Sequence, residues 1–106
     1  MGGAEAATAE QLMRSRYSAF VVLDRDYLLR TWHPDTAPPN LELDPDMRWR
    51  RLDIVATAGG GPFDTEGTVE FRAHYRQMAE RGVLHEVSRF VRTGGRWLYV
   101  DGDIRG

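Results

Sequence analysis

The chain has 106 residues, of which 42% are hydrophobic and 28% charged, and its formal net charge is −2. This length and composition are typical of one folded domain, so we expect a single domain over residues 1–106, with residues 1–7 disordered. No apolar stretch approaches the roughly 18 residues of a membrane helix, and the N-terminus lacks the basic start of a secretory signal, so we expect a cytoplasmic protein without a membrane partner. The lack of cysteine excludes disulfides and Cys-based zinc sites, and the charge argues against nucleic acid as a partner.

The first third of the chain is predicted to be helical. Between Thr8 and Asp24 the apolar residues recur every three or four positions, which indicates an amphipathic helix with Thr8 as its N-cap. Arg16 lies within the same apolar stripe. A second short helix is predicted over residues 27–32. It is expected to end there because Pro34 disfavours helix in the residue before it. The segment from Pro34 to Pro45 has the composition of a loop.

After Trp49 the hydrophobic period changes from about 3.6 to 2, which indicates strands. The strands are predicted over residues 49–57, 67–77, 83–92 and 96–101. In the second strand one face carries Val69, Phe71, Ala73 and Tyr75, while the alternate residues are polar. Tight turns predict adjacent antiparallel strands, and helices followed by strands predict an α+β fold.

Several spaced motifs resemble those of the YchJ-type family of bacterial proteins. The first half of the chain carries Leu12-Met13-Arg14-Ser15-Arg16-Tyr17-x-Ala19-Phe20, Asp26-Tyr27-Leu28 and Thr31-Trp32-His33-Pro34. The second half carries Trp49-x-x-Leu52, Gly67-x-Val69-x-Phe71-x-Ala73, Glu86-x-Ser88-Arg89-Phe90 and Gly95-x-Trp97-x-Tyr99-x-Asp101-Gly102. The resemblance covers roughly residues 10–102.

This resemblance implies a nuclear-transport-factor-2-like (NTF2-like) cone, in which the N-terminal helices pack in the concave face of a curved antiparallel sheet. Many relatives carry cysteine-rich SEC-C zinc motifs at their ends, but this sequence has no cysteine. The zinc function therefore does not carry over to these residues, and we expect no cofactor and no metal. The resemblance implies a fold and no particular reaction.

A cone of this kind is expected either to enclose a pocket for a small apolar ligand or to be filled by its own core. Alternation along the strands and the helix stripe predict which residues would line the pocket. They are Arg16, Tyr17, Tyr27, Trp32, His33, Trp49, Glu86, Ser88, Phe90, Trp97, Tyr99 and Asp101.

Glu86 is the candidate functional carboxylate, because the alternation places it among aromatic residues. A buried carboxylate without a partner is unfavourable, so we expect an ion pair with Arg16. Such a pair either fixes the helix on the sheet or borders the polar end of the pocket. If Arg16 leaves Glu86 free, Glu86 with Tyr17 or Tyr99 matches the carboxylate base and hydroxyl donor of cofactor-free enzymes.

The histidines form no metal-ligand pattern. His33 is expected at a helix end or the pocket mouth, and His74 on a solvated face. His85 and Glu86 are consecutive in a strand and so point to opposite faces.

The opposite, convex face of the sheet suggests a different role. We expect it to carry apolar side chains from several strands: Leu52, Ile54, Val87, Val91, Leu98 and Val100. An apolar outer face predicts a covering partner, and a homodimer through this face is one possibility.

These observations favour a non-enzymatic module that binds a small molecule or a protein. Two alternatives remain open: an enzyme that uses Glu86 for proton transfer or hydration and dehydration chemistry, and a structural domain that dimerises through the convex face.

Overall fold

The computed structural model describes residues 5–105. It contains helix α1 (Ala9–Val21) and helix α2 (Arg25–Arg30). The Thr8 hydroxyl accepts a hydrogen bond from the Gln11 amide at 3.1 Å, so Thr8 caps α1 as predicted. The Asp24 carboxylate caps α2 in the same way, by accepting from the Tyr27 amide at 3.1 Å. Neither helix is long and apolar enough to cross a membrane within this part of the chain.

The rest of the chain forms one antiparallel sheet in which consecutive strands are neighbours. Its strands are β1 (Met47–Gly59), β2 (Glu66–Gln77), β3 (Glu80–Thr93) and β4 (Arg96–Ile104). The predicted α+β class and antiparallel order are therefore confirmed. The strands extend beyond the predicted bounds, because backbone pairing continues through polar residues close to the turns.

Helix α1 packs on one face of the sheet, which we call the inner face; the other is the outer face. Leu12 and Met13 of the helix meet Phe71 and Phe90 of the sheet in a single core cluster. Full burial of one such side chain stabilises the fold by about 1.5–3 kcal/mol. This core explains why the short helix is stable next to the sheet.

The chain before α1 is anchored as well. The Trp97 indole N–H donates to the Ala7 carbonyl at 3.2 Å, and Ala6 packs against the core. The disorder expected for residues 1–7 falls partly on residues 1–4, which lie outside the described residues.

β-Bulges change which residues face inward. In β1 an extra residue, Arg50, lies between the pairs Trp49–Tyr75 and Arg51–His74. A bulge breaks the alternation of a strand, so the residues after it reverse their faces. Leu52 and Ile54 therefore pack against the inner core, and their predicted placement on the convex face was wrong.

A bulge in β4 has the same effect on Asp101. The register shifts between Arg89 and Phe90, which leaves Val100 as the extra residue. Asp101 therefore pairs with Arg89 on the outer face, and its predicted place in the pocket was wrong.

The outer face carries ion pairs between neighbouring strands, while Leu52 and Ile54 are absent from it. Arg89 contacts Asp101 at 2.5 Å and Asp103 at 2.9 Å, across β3 and β4. Glu70 and His85 are joined at 2.6 Å across β2 and β3. The apolar outer face predicted from the sequence is thus much reduced.

Because of Asp53, the stability that the outer-face ion pairs contribute depends on pH. Hydrogen bonds from His74 and Arg51 hold the pKa of the Asp53 carboxyl below its usual value. A lowered folded-state pKa stabilises the fold above the unfolded value of about 3.9, and this contribution is lost as the pH falls through the folded value. We therefore expect the urea midpoint to fall below about pH 4, with a smaller fall for Asp53→Asn.

Urea unfolding between pH 2.5 and 6 measures this dependence. The matched control is Glu42→Gln, since Glu42 makes no hydrogen bond or ion pair within residues 5–105. An Asp53→Asn profile that superimposes on the unmodified protein would contradict the assignment.

Candidate functional site

A cavity of about 180 Å³ lies between the helices and the inner face of the sheet. Its lining residues come from α1, from the end of α2 and from all the strands. They are Met13, Arg16, Tyr17, Phe20, Trp32, Trp49, Phe71, Ala73, Leu84, Glu86, Ser88 and Tyr99. The helices and the inner face thus border a small space that is partly open at the surface.

Aromatic rings form most of the cavity wall. Trp49 meets Tyr17 with ring centroids 6.4 Å apart and Phe20 at 6.1 Å. Trp32 meets Tyr99 nearly edge to face at 5.0 Å. Such edge-to-face pairs are favourable arrangements of aromatic quadrupoles, so the wall is both apolar and well ordered.

Arg16 is the cation of the cavity, and only 3% of its surface is exposed. Its Nη1 donates to the Leu28 carbonyl at 2.8 Å and to the Thr31 hydroxyl at 2.7 Å. Its guanidinium also stacks over the Tyr99 ring, 4.5 Å from the centroid. Burial lowers the pKa of Arg16 to about 10, which still leaves the group charged at neutral pH.

The predicted ion pair between Arg16 and Glu86 does not form, so that prediction was wrong. The end of α2 supplies the hydrogen-bond acceptors that the guanidinium needs, and Tyr99 separates the two charges. Tyr99 stacks under Arg16 while its hydroxyl donates to Glu86 Oε2 at 3.3 Å. Arg16 therefore makes no direct hydrogen bond to Glu86. It influences the carboxylate only through the intervening Tyr99 and through the electrostatic effect of its positive charge.

Glu86 presents its carboxylate at the polar end of the cavity. Oε2 accepts hydrogen bonds from the Ser88 hydroxyl at 2.7 Å and from Tyr99. Oε1 accepts none from the part of the chain that the structure describes. Gly102 provides the room for this carboxylate, because a Cβ there would lie 2.0 Å from Oε2.

Tyr99 remains a hydrogen-bond donor throughout the physiological range. Burial first, and then the charge of Glu86, raise the pKa of its hydroxyl well above the ordinary value. The Glu86 carboxylate is thus held by two hydroxyl donors, Ser88 and Tyr99. Its other oxygen, Oε1, accepts no hydrogen bond from a residue between positions 5 and 105.

Trp32 contributes a second polar feature. Its ring lines the cavity, yet its buried indole N–H has no hydrogen-bond acceptor in the described chain. An unmade hydrogen bond of this kind costs about 1–3 kcal/mol.

Some of the predicted lining residues lie elsewhere. Phe90 and Trp97 are buried in the core, Tyr27 bonds to the Ser15 hydroxyl at 2.6 Å, and His33 forms the turn after α2. The backbone amide of His33 donates to the Tyr99 carbonyl at 2.8 Å, so His33 belongs to a segment that adds to the edge of β4.

Sequence reasoning left several lining residues out of the predicted pocket. They are Met13, Phe20, Phe71, Ala73 and Leu84. All of them lie on the predicted helix stripe or the predicted inner face, so the hydrophobic period located their face. It did not show which apolar residues border empty space and which border other side chains.

No group of three or more metal-ligating side chains occurs between residues 5 and 105. His85 bonds to Glu70 on the outer face while Glu86 lies inside, as the alternation predicted.

Helices over the inner face of an antiparallel sheet, with a cavity between them, define an NTF2-like domain. The sequence profile of the family described as YchJ, middle NTF2-like domain, matches residues 8–102. The chain belongs to this family, and the resemblance found in the sequence is confirmed.

Its relatives include the UPF0225 protein of Streptomyces coelicolor, which is 60% identical over 97% of this chain and 80% of the relative. The UPF0225 protein of Bordetella pertussis is 55% identical over 95% of this chain and 75% of the relative. None of these names states an activity.

Two solved structures are also similar. A SEC-C motif containing protein from Rhodopseudomonas palustris matches with a TM-score of 0.82 and 29% identity, over 97% of this chain and 83% of its own. One from Psychrobacter arcticus matches with a TM-score of 0.75 and 28% identity, over 99% of this chain and 65% of its own.

Proposed function

We propose that this domain binds a small organic molecule in the inner cavity without transforming it. The observation that carries the proposal is the cavity itself: apolar aromatic walls with a carboxylate and an arginine at one end. Ligand sites are typically apolar spaces of this kind, with a few polar groups that orient the ligand.

The polar groups suggest what the ligand carries. Glu86 Oε1 is free to accept a hydrogen bond, which favours a ligand with a hydroxyl or an N–H. A volume of about 180 Å³ suits a ligand about the size of one aromatic ring with a polar substituent.

Benzyl alcohol is a suitable first probe, and toluene is its matched analogue without a donor. In titrations followed by backbone amide NMR shifts, we expect benzyl alcohol to shift signals around the cavity and to bind more tightly than toluene. Glu86→Gln should weaken benzyl alcohol binding about tenfold, since a charged acceptor is worth more than a neutral one. The same change should leave toluene binding almost unaffected.

Ala73→Val tests the location of the probe, because Ala73 lines the cavity and two added methyl groups occupy part of it. The control is Ala56→Val, which adds the same groups to an exposed residue of β1. Binding that survives Ala73→Val, or that Ala56→Val removes equally, would refute the inner site.

Proton transfer by Glu86 is a second candidate, and a specific observation favours it. The carboxylate faces the cavity without an ion pair to Arg16, and Tyr99 stands next to it as a protonated donor. Glu86 would act as the base, and Tyr99, which has one hydroxyl proton, would turn it from Glu86 to the developing oxyanion. Ligands recovered from the cavity in chemically altered form would favour this candidate over simple binding.

We also infer, from the sequence, a homodimer through the outer face and a cytoplasmic location. Both stay predictions. The apolar residues that still face outward include Val87 and Val91, which are half-buried.

A further inference from the structure

A cluster of arginines lies at the end of the sheet where β2 turns into β3. Arg48 pairs directly with Arg76 across β1 and β2, and Arg76 pairs directly with Arg81 across β2 and β3. All of these side chains are exposed. Three neighbouring strands therefore present a row of arginines about 10 Å wide, given a strand spacing of about 4.8 Å.

This row is unfavourable for the stability of the sheet. Like charges directly opposite one another on paired strands repel each other. None of Arg48, Arg76 and Arg81 forms an ion pair with a carboxylate among residues 5–105. Elsewhere on the outer face Arg89 is paired with Asp103, whereas Arg48, Arg76 and Arg81 lie side by side without a carboxylate partner among the described residues.

The bulge in β1 adds two more arginines to the same place. Because Arg50 is the extra residue, consecutive Arg50 and Arg51 both line one groove, where regular alternation would separate them. We call this the arginine groove; it measures about 550 Å³, and its lining includes Arg50, Arg51, Arg76 and Arg81. Arg51 is paired with Asp53 at 3.2 Å, so Arg50, Arg76 and Arg81 are the groove arginines without a carboxylate partner among the described residues. Arg48 and Asp46 line an adjoining depression.

We propose that the arginine groove binds a polyphosphate chain, such as the one that a nucleoside triphosphate carries. The planar guanidinium donates paired hydrogen bonds to phosphate oxygens, and several of them in a row match a ligand with several linked anionic groups. The groove is large enough for a small ligand. None of its lining residues also lines the inner cavity, so it is a site distinct from the one that contains Glu86.

Isothermal titration of the full chain with inorganic tripolyphosphate, at constant ionic strength, tests the proposal. We expect binding that Arg76→Gln weakens at least about tenfold, since Arg76 stands at the centre of the row. The control Arg96→Gln removes the same charge from the β3–β4 turn, at the opposite end of the sheet, and should change binding less than about twofold. Arg76→Gln should also raise the melting temperature by about 1–4 °C, because it relieves repulsion on both sides.

This combination of weaker binding and higher stability separates a ligand site from a structural role, which would lower stability. ATP and a single-stranded oligonucleotide are titrated in parallel. ATP binding that Arg76→Gln weakens and Arg96→Gln does not supports the proposal, whereas binding of the oligonucleotide alone would overturn it. No binding of any phosphate compound at millimolar concentration would overturn it. Equal losses in the two variants, or binding of a glutamate-rich peptide alone, would overturn it as well.

Discussion

Arg16→Ala is expected to lower the free energy of unfolding by about 3–5 kcal/mol. The change removes a side chain that is only 3% exposed and that fills the space between α1, Trp32 and Tyr99. It also removes the donor that joins α1 to the Leu28 carbonyl at the end of α2. Because the two helices meet through few other polar contacts, their packing should loosen together.

Arg16→Met should cost much less than Arg16→Ala. Burial disfavours the charged guanidinium, as its lowered pKa shows, so an apolar side chain of similar length avoids that penalty. The Thr31 hydroxyl still lies 3.3 Å from the Leu28 carbonyl and partly satisfies it. Urea unfolding of both variants measures the difference.

The control for this pair is Arg14→Ala on the same helix. The Arg14 side chain is 54% exposed and pairs with Glu10 along the helix surface, so its loss should change stability by about 0.5 kcal/mol or less. If Arg16→Ala were as mild as Arg14→Ala, the role assigned to the buried guanidinium would be wrong.

Gly67→Ala is the second change with a large expected effect, about 3 kcal/mol of destabilisation. A Cβ at Gly67 would lie 2.4 Å from the Gly60 Cα and 2.5 Å from its nitrogen. Both are backbone atoms and cannot rotate away. The Gly60 carbonyl accepts from the Ala9 amide at 2.9 Å, so a displaced Gly60 would also disturb the start of α1.

Gly102→Ala is the matched comparison, because its Cβ would meet only the flexible end of Glu86. We expect a loss of stability of about 1 kcal/mol or less, together with weaker binding of benzyl alcohol as the carboxylate moves. Thermal melts and the NMR titration of both glycine variants test this contrast. Equal destabilisation by the two changes would show that the contacts at Gly67 do not set its cost.

The hydrophobic periods of the sequence predicted the first helix and the inner face of the sheet. The three-to-four spacing located α1, and the alternation in β2 placed Val69, Phe71 and Ala73 on the inner face. These patterns are visible in a sequence because each depends on local geometry and on which side is buried. The family was identified differently, through the resemblance of the spaced motifs to those of known relatives.

The hydrophobic periods did not predict the β-bulges. The first of two bulges in β1 and the bulge in β4 reversed the faces of Leu52, Ile54 and Asp101, and nothing in the residue types at Arg50 or Val100 marks them. A bulge is decided by the pairing of whole strands, so an error of one residue propagates along the strand until a second bulge, which in β1 follows Ile54.

The candidate site was likewise predicted from the sequence only in part. The sequence by itself determined that Arg16 and Glu86 would both face the interior, since burial follows the local period. Only the tertiary structure decided that they would not pair, because the competing acceptors for Arg16 lie on α2 and become available only when that helix docks. Whether a polar group meets one partner or another depends on distances between segments far apart in the chain, and the order of residues does not contain those distances.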